Sequence, residues 1–172
     1  TRAGEFVTLK QLMDEVGPDA SKFFFIFRRA ESHLDFDLEV AKKQSVENPV
    51  YYLQYASVRM RHVLEHAQSN GIPIEGLDPD PALLKEAEET ALCRALAEFP
   101  DLVERVARTL EVHLAAEYLL NLARTFHSYY QKHRVVTDDR PLTTARLALT
   151  AAAYHVFSRA LDLLNISLPD RM

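Results

Sequence analysis

The chain has 172 residues, about half of them hydrophobic, enough for one domain with a proper core, or one domain with an appendage. Four glycines and eight prolines argue against long disordered linkers, and no apolar run approaches the roughly 18–20 residues needed to span a bilayer. A net charge of −5 argues against a non-specific nucleic-acid binder, which is usually basic.

Taken from the start, Thr1-Arg2-Ala3-Gly4 has no basic-then-apolar pattern and no initiator Met, so it reads as part of a longer chain and not as a secretion signal. Thr8 caps a short helix with Leu9, Leu12, Met13 and Val16 at helical spacing, closed by Gly17. Pro18-Asp19 opens a second helix that carries the apolar run Phe23 to Phe27 and ends at Arg28-Arg29. Ser32 to Leu38 alternates and reads as extended, then turns into a helix over Leu38 to Lys43. Residues 44–48 form the clearest seam. A long helix begins at Asn48, a good N-cap, with Pro49 in the first helical position, and stops at Asn70-Gly71.

Gly71 to Pro81 is the best loop. Helices are expected from about Pro81 to Glu98 and from Asp101 to Leu110, with a break at Phe99-Pro100. A long helix follows from about His113 to Arg134, then a polar turn over Thr137 to Pro141. The last helix runs from about Thr143 to Leu164, with Ala145, Ala148, Ala151 and Ala152 permitting close packing and Val156, Ala160, Leu163 and Leu164 as core. The pattern predicts an all-α, antiparallel helical bundle.

The long helix from Asn48 carries two faces. Leu53, Ala56, Met60, Val63, Leu64 and Ala67 form an apolar one. Tyr52, Tyr55, Arg59, His62 and His66 fall in a second stripe roughly 80° wide at about 100° per residue. Flat rings and cations together suit stacking on unpaired bases, although tyrosines at i, i+3 also serve simply to edge a core. A second aromatic–basic segment, Phe126 to Arg134, poses the same choice: Tyr130 is i, i+4 from both Phe126 and Arg134. Acidic residues crowd the middle of the chain, from Glu75 to Glu104. Arg59, Arg61, Arg124, Lys132, Arg134 and Arg140 flank them, so folding could gather one positive groove on an acidic body.

Little else carries chemistry. Cys93 stands alone, so no internal disulfide is possible and a reducing cytosol is its natural setting; its neighbours make it small helix filler. No GxxxxGK[ST], GxGxxG or GxSxG motif is present. His62 and His66 are i, i+4 but lack a Glu in the zinc-hydrolase position, although Glu65 precedes His66, and no Glu-x-x-His pairs support a di-iron bundle, so no metal site is expected.

Several segments together resemble the C-terminal part of arginyl-tRNA synthetases, a class I family. Thr1 to Leu9 looks like the end of the family's Lys-Met-Ser-Lys-Ser-type signature loop, of which Thr1 and Arg2 would be the remnant. Arg28 with His33 to Leu38 is similar to the segment joining the catalytic and helical domains. Asn48 to Ala56 with Arg59 resembles the most recognisable C-terminal motif, and Ala145 to Leu149 and Pro169-Asp170-Arg171-Met172 complete the match end to end.

The resemblance implies a helical bundle of the class I anticodon-binding type over 48–172, preceded by short linker helices over 1–47. It implies that the parent enzyme, a cytoplasmic monomer, attaches arginine to its tRNA with ATP and magnesium. It implies that Tyr52, Tyr55, Arg59, Tyr130 and the terminal Met172 contact the anticodon. The Rossmann domain is missing from this stretch, so the chain alone is expected to hold no cofactor and to catalyse nothing. The expected partner is an arginine tRNA, with no DNA and no membrane. Exposure of Phe23 to Phe27 would favour self-association. The competing readings are a standalone helical protein-interaction module and an enzyme built around a metal in the bundle core.

Overall fold

Asn48 does two jobs at once. Its Oδ1 accepts from the backbone N–H groups of Val50 at 3.0 Å and Tyr51 at 3.5 Å, capping the helix it begins. Its Nδ2 donates to the carbonyls of Ala41 at 2.9 Å and Lys43 at 3.0 Å, so the same side chain holds the end of the preceding helix. The computed structural model describes residues 8–29, 38–43, 45 and 47–169. Thr1, Arg2 and Met172, and the alternating segment before Leu38, lie outside the described residues.

The helices are α1 (Leu9–Val16), α2 (Pro18–Ile26), α3 (Leu38–Lys42), α4 (Pro49–Ser69), α5 (Ala87–Ala97), α6 (Phe99–Thr109), α7 (His113–Lys132) and α8 (Arg140–Leu163), with a 3-10 turn at Pro81–Leu83. Most ends follow from local chemistry. Thr8 and Gln11 form a reciprocal capping box at α1. Gly17 ends α1 at φ 83°, and Gly71 sits just past α4 at φ 71°, positions a side chain would strain. Beyond Gly71, the Ile72 N–H returns to the Ala67 carbonyl at 3.0 Å and its side chain is buried.

Three boundaries differ from the sequence expectation. Pro81–Leu83 is a single 3-10 turn capped by Asp80, and α5 begins only at Ala87, where the Glu86 N–H donates to the Glu89 carboxylate at 3.0 Å. Pro100 does not break the chain. It occupies the first turn of α6, where no N–H partner is lost, and Glu98 serves both α5 and α6 as cap. Helix α8 starts at Arg140, because the Asp139 carboxylate caps the Leu142 N–H at 3.0 Å and Pro141 fits the first turn.

Helices α4, α5, α7 and α8 form the bundle: α7 and α8 each pack against both α4 and α5. The centre is fully dry, with Leu53, Met60, Leu92, Leu119, Leu122, Phe126, Leu147, Phe157 and Leu161 at 0% exposure. Each such side chain contributes roughly 1.5–3 kcal/mol of burial free energy. The predicted apolar face of α4 is buried throughout, as are Ala145, Ala160 and Leu164 on α8, but Leu163 is 64% exposed and belongs to the surface. Cys93 lies on α5 as expected but is exposed rather than filler. In α2, Phe23 is fully buried and stacks on Phe27 at 5.6 Å, whereas Phe25 is 48% exposed, so the apolar run is split between core and surface.

Candidate nucleic-acid interface

Helices α4 and α7 run side by side in the same direction: residues 52–55 of α4 meet His127, Arg59 meets Tyr130, and His62 and His66 lie beside the end of α7. This crossing assembles the aromatic and cationic residues of both helices on one face. Tyr52, Tyr55, Arg59 and Tyr130 are all half-buried there.

His127 organises one half of the face. It is buried, its ring centroid is 4.9 Å from that of Tyr52 and 5.6 Å from that of Tyr55, and the Tyr55 ring is stacked at 28°. Burial, assisted by the Arg59 charge, pushes its pKa down to about 4, so the ring is neutral near pH 7. Burial also pushes the Tyr52 phenol up, against the opposing pull of Arg124. These tyrosines are therefore walls with one face committed to His127, rather than free platforms.

Arg59 sits at the junction. Its guanidinium lies 4.6 Å from the Tyr55 ring centroid and 5.1 Å from that of Tyr130, and its Nη2 donates to the Tyr55 hydroxyl. Tyr130 in turn stacks on buried Phe126 at 5.9 Å. The alternatives for the neighbouring tyrosines resolve by helical phase: Tyr129 is fully buried, where burial raises its phenol above the ordinary range, and Tyr130 reaches the surface.

Beyond Tyr130 the face opens into a groove of about 660 Å³, lined by His62, Val63, His66, Tyr130 and the segment 131–136. Its floor is held from behind. Glu89 is completely buried on α5 and accepts from Arg146 Nε at 2.7 Å, while Arg146 Nη1 donates to the Arg134 carbonyl at 2.7 Å. Val135 is buried beside this anchor. At the other lip, Glu88 pairs with Lys132 and with His133 at 3.0 Å, and chiefly the Lys132 bond holds its carboxyl down at about 2. His62, His66 and Arg134 remain exposed at the rim, so two imidazoles and one guanidinium edge the groove.

Sequence spacing brought Tyr52, Tyr55, Arg59 and Tyr130 into view but missed His127. A signal existed: His127 continues the buried positions Ala116, Leu120 and Ala123 of α7 at helical spacing.

The family model for the DALR anticodon-binding domain matches residues 53–172. The chain belongs to this family. The DALR match spans α4 from Leu53 onward and everything after it, so the face just described lies almost entirely within it. Over the whole chain, the arginine–tRNA ligase of Acidithiobacillus ferrooxidans is 46% identical across 175 aligned residues, and that of Syntrophotalea carbinolica is 47% identical across 173. The chain spans 30% and 31% of the length of these relatives. The solved arginyl-tRNA synthetase of Thermus thermophilus superposes on 99% of this chain, and on 29% of its own, with a TM-score of 0.78 at 26% identity. The resemblance read from Asn48 to Ala56 and from the chain's end thus holds along the entire sequence, and the all-α bundle is that of the synthetase domain.

Proposed function

We propose that the α4–α7 face binds the anticodon loop of an arginine tRNA, as the recognition part of a cytoplasmic, ATP-dependent arginine–tRNA ligase. The observation that carries this reading is the Arg59 guanidinium set between the Tyr55 and Tyr130 rings beside a groove edged by Arg134 and imidazoles. A phosphate or base edge finds Arg59, which is already oriented by its bond to the Tyr55 hydroxyl, and an unstacked base reaches the Tyr55 and Tyr130 rings by displacing the guanidinium that lies over them. His62, His66 and Arg134 serve the backbone along the groove. Tyr52 acts mainly as the wall behind Tyr55. Met172 is assigned to the same pocket by family resemblance.

The chain's role is recognition rather than chemistry. The parent ligase would use ATP and magnesium. Among the described residues no three His, Cys, Asp or Glu side chains are grouped to hold a metal ion, and the sequence has no phosphate-cradling glycine loop. Among the described residues no helix is long and apolar enough to cross a membrane.

The test is a titration of labelled anticodon stem–loop against a scrambled loop. Tyr55→Ala should cost roughly 1–3 kcal/mol of affinity for the cognate loop if a base stacks there. Equal affinity for the two loops, or for the variant and parent proteins, would refute the assignment and favour a protein partner for this face. Because the chain is acidic overall, binding should be modest and should weaken further with salt.

A further inference from the structure

Arg59 carries a charge that no carboxylate balances among the described residues. Its guanidinium lies over two rings instead, 4.6 Å from the Tyr55 centroid and 5.1 Å from that of Tyr130, and its Nη2 donates to the Tyr55 hydroxyl. The two rings come from different helices, and both are braced by α7. Tyr55 is stacked on buried His127 at 5.6 Å, and Tyr130 on fully buried Phe126 at 5.9 Å. Burial and the Arg59 charge keep His127 neutral near pH 7, so the ring behind Tyr55 adds no like charge to push the guanidinium away. In the free protein, a planar cation therefore occupies the aromatic surface that a base would take.

We infer that Arg59 is a specificity-determining residue that works by exclusion: its guanidinium closes the Tyr55–Tyr130 seat to any base whose loop does not also offer the displaced cation a phosphate. This rests on the anticodon reading above. A cation over aromatic rings and a base stacked on them are worth comparable factors in affinity, overlapping at roughly fivefold to thirtyfold. A base that merely takes the guanidinium's place thus gains almost nothing. A phosphate contact made in the same step tips the exchange, because the guanidinium fork matches phosphate oxygens and the bond is charge-assisted. Alone, neither contact selects a sequence: phosphate carries no base identity, and an open ring accepts any base. Coupled through one arginine, base and phosphate must arrive together in one geometry.

Removing the guanidinium should move two loops in opposite directions. Arg59→Met should bind the cognate anticodon stem–loop about tenfold more weakly, having lost the phosphate contact. It should bind a scrambled loop of the same composition about threefold more tightly, because the rings are open. The second change runs against charge, since a cation has been taken from a protein that meets a polyanion. A plain phosphate contact would weaken both loops by the same factor, and a plain base-edge contact would weaken the cognate loop alone. The inference is overturned if the scrambled loop binds Arg59→Met no more tightly than it binds the parent chain. A second readout uses the unaltered chain. Ring currents from two tyrosines shift the Arg59 side-chain proton resonances upfield; saturating cognate stem–loop should relieve that shift, and saturating scrambled loop should leave it in place. Relief by both loops alike, or by neither, also overturns the inference. Tyr55→Ala, run alongside, separates the two readings. If it binds the cognate loop as the parent chain does, the anticodon reading fails and carries the exclusion with it. A weakened Tyr55→Ala beside an Arg59→Met that loosens both loops overturns the exclusion alone.

Discussion

The stripe on α4 is one periodic pattern with two physical fates. At its first half, Tyr52 and Tyr55 are pressed against the buried His127 of α7. At its second half, His62 and His66 stay exposed beside a groove of about 660 Å³. The helix is the same and the spacing is the same. The difference arises because α7 lies close along α4 near Tyr52 and ends at Lys132, where the chain turns away through 133–139 and leaves the groove behind it. A stripe thus says which residues share an edge, and the end of the neighbouring helix says which of them are wall and which are rim.

The comparison is broken most directly by emptying the closed half. His127→Ala removes a buried ring that supports two tyrosines and should cost about 3 kcal/mol in urea unfolding. A loss below about 1 kcal/mol would mean that the two halves are equally loose.

Acid probes the same site without mutation. The His127 imidazole is held at about 4 against an ordinary 6.5. As pH falls through 6.5 the unfolded chain takes up a proton that the folded chain refuses until about 4. Stability should therefore decline across that window, by about 2 kcal/mol after allowing for partial relaxation. His127→Phe should lose this limb of the pH profile. Glu88 gives a separate limb at lower pH: its depressed carboxyl stabilises the fold above its ordinary 4.5, and that contribution disappears towards about 2.

The smallest effect belongs to the open half. His62→Ala with His66→Ala should change stability by less than about 0.5 kcal/mol, since both are exposed. A larger loss, measured by the same unfolding curve, would show that the groove is a packed element and not a free rim.

Much of the fold was legible because its helix ends are written locally. Thr8 with Gln11, Asn48, Gly17 and Gly71 each specify a boundary by their own chemistry. The reading erred where one residue supports two interpretations. The helices do part near Phe99-Pro100, but at Glu98, with Pro100 inside the first turn of α6; Pro81–Leu83 has helical composition but only a 3-10 turn, because α5 draws its cap from Glu86 and Glu89 several residues later. For the candidate site, spacing assembles Tyr52, Tyr55, Arg59 and Tyr130 but cannot give depth, so it does not single out His127. A hydrogen bond from the Ser167 N–H to Asp19 joins positions 148 apart, and no periodicity along one helix encodes it. Recognition of the Asn48 to Ala56 motif named the family; the crossing of α4 with α7 supplied the geometry.

The buried Glu89 has a consequence for anyone who would transplant the groove. Its carboxylate faces the groove only through Arg146, whose other nitrogen holds the Arg134 carbonyl in place. A graft that copies every lining residue onto a new scaffold but omits Glu89 would bury an unpaired guanidinium and release the loop it tethers. The portable unit is therefore the groove together with the buried carboxylate behind its floor.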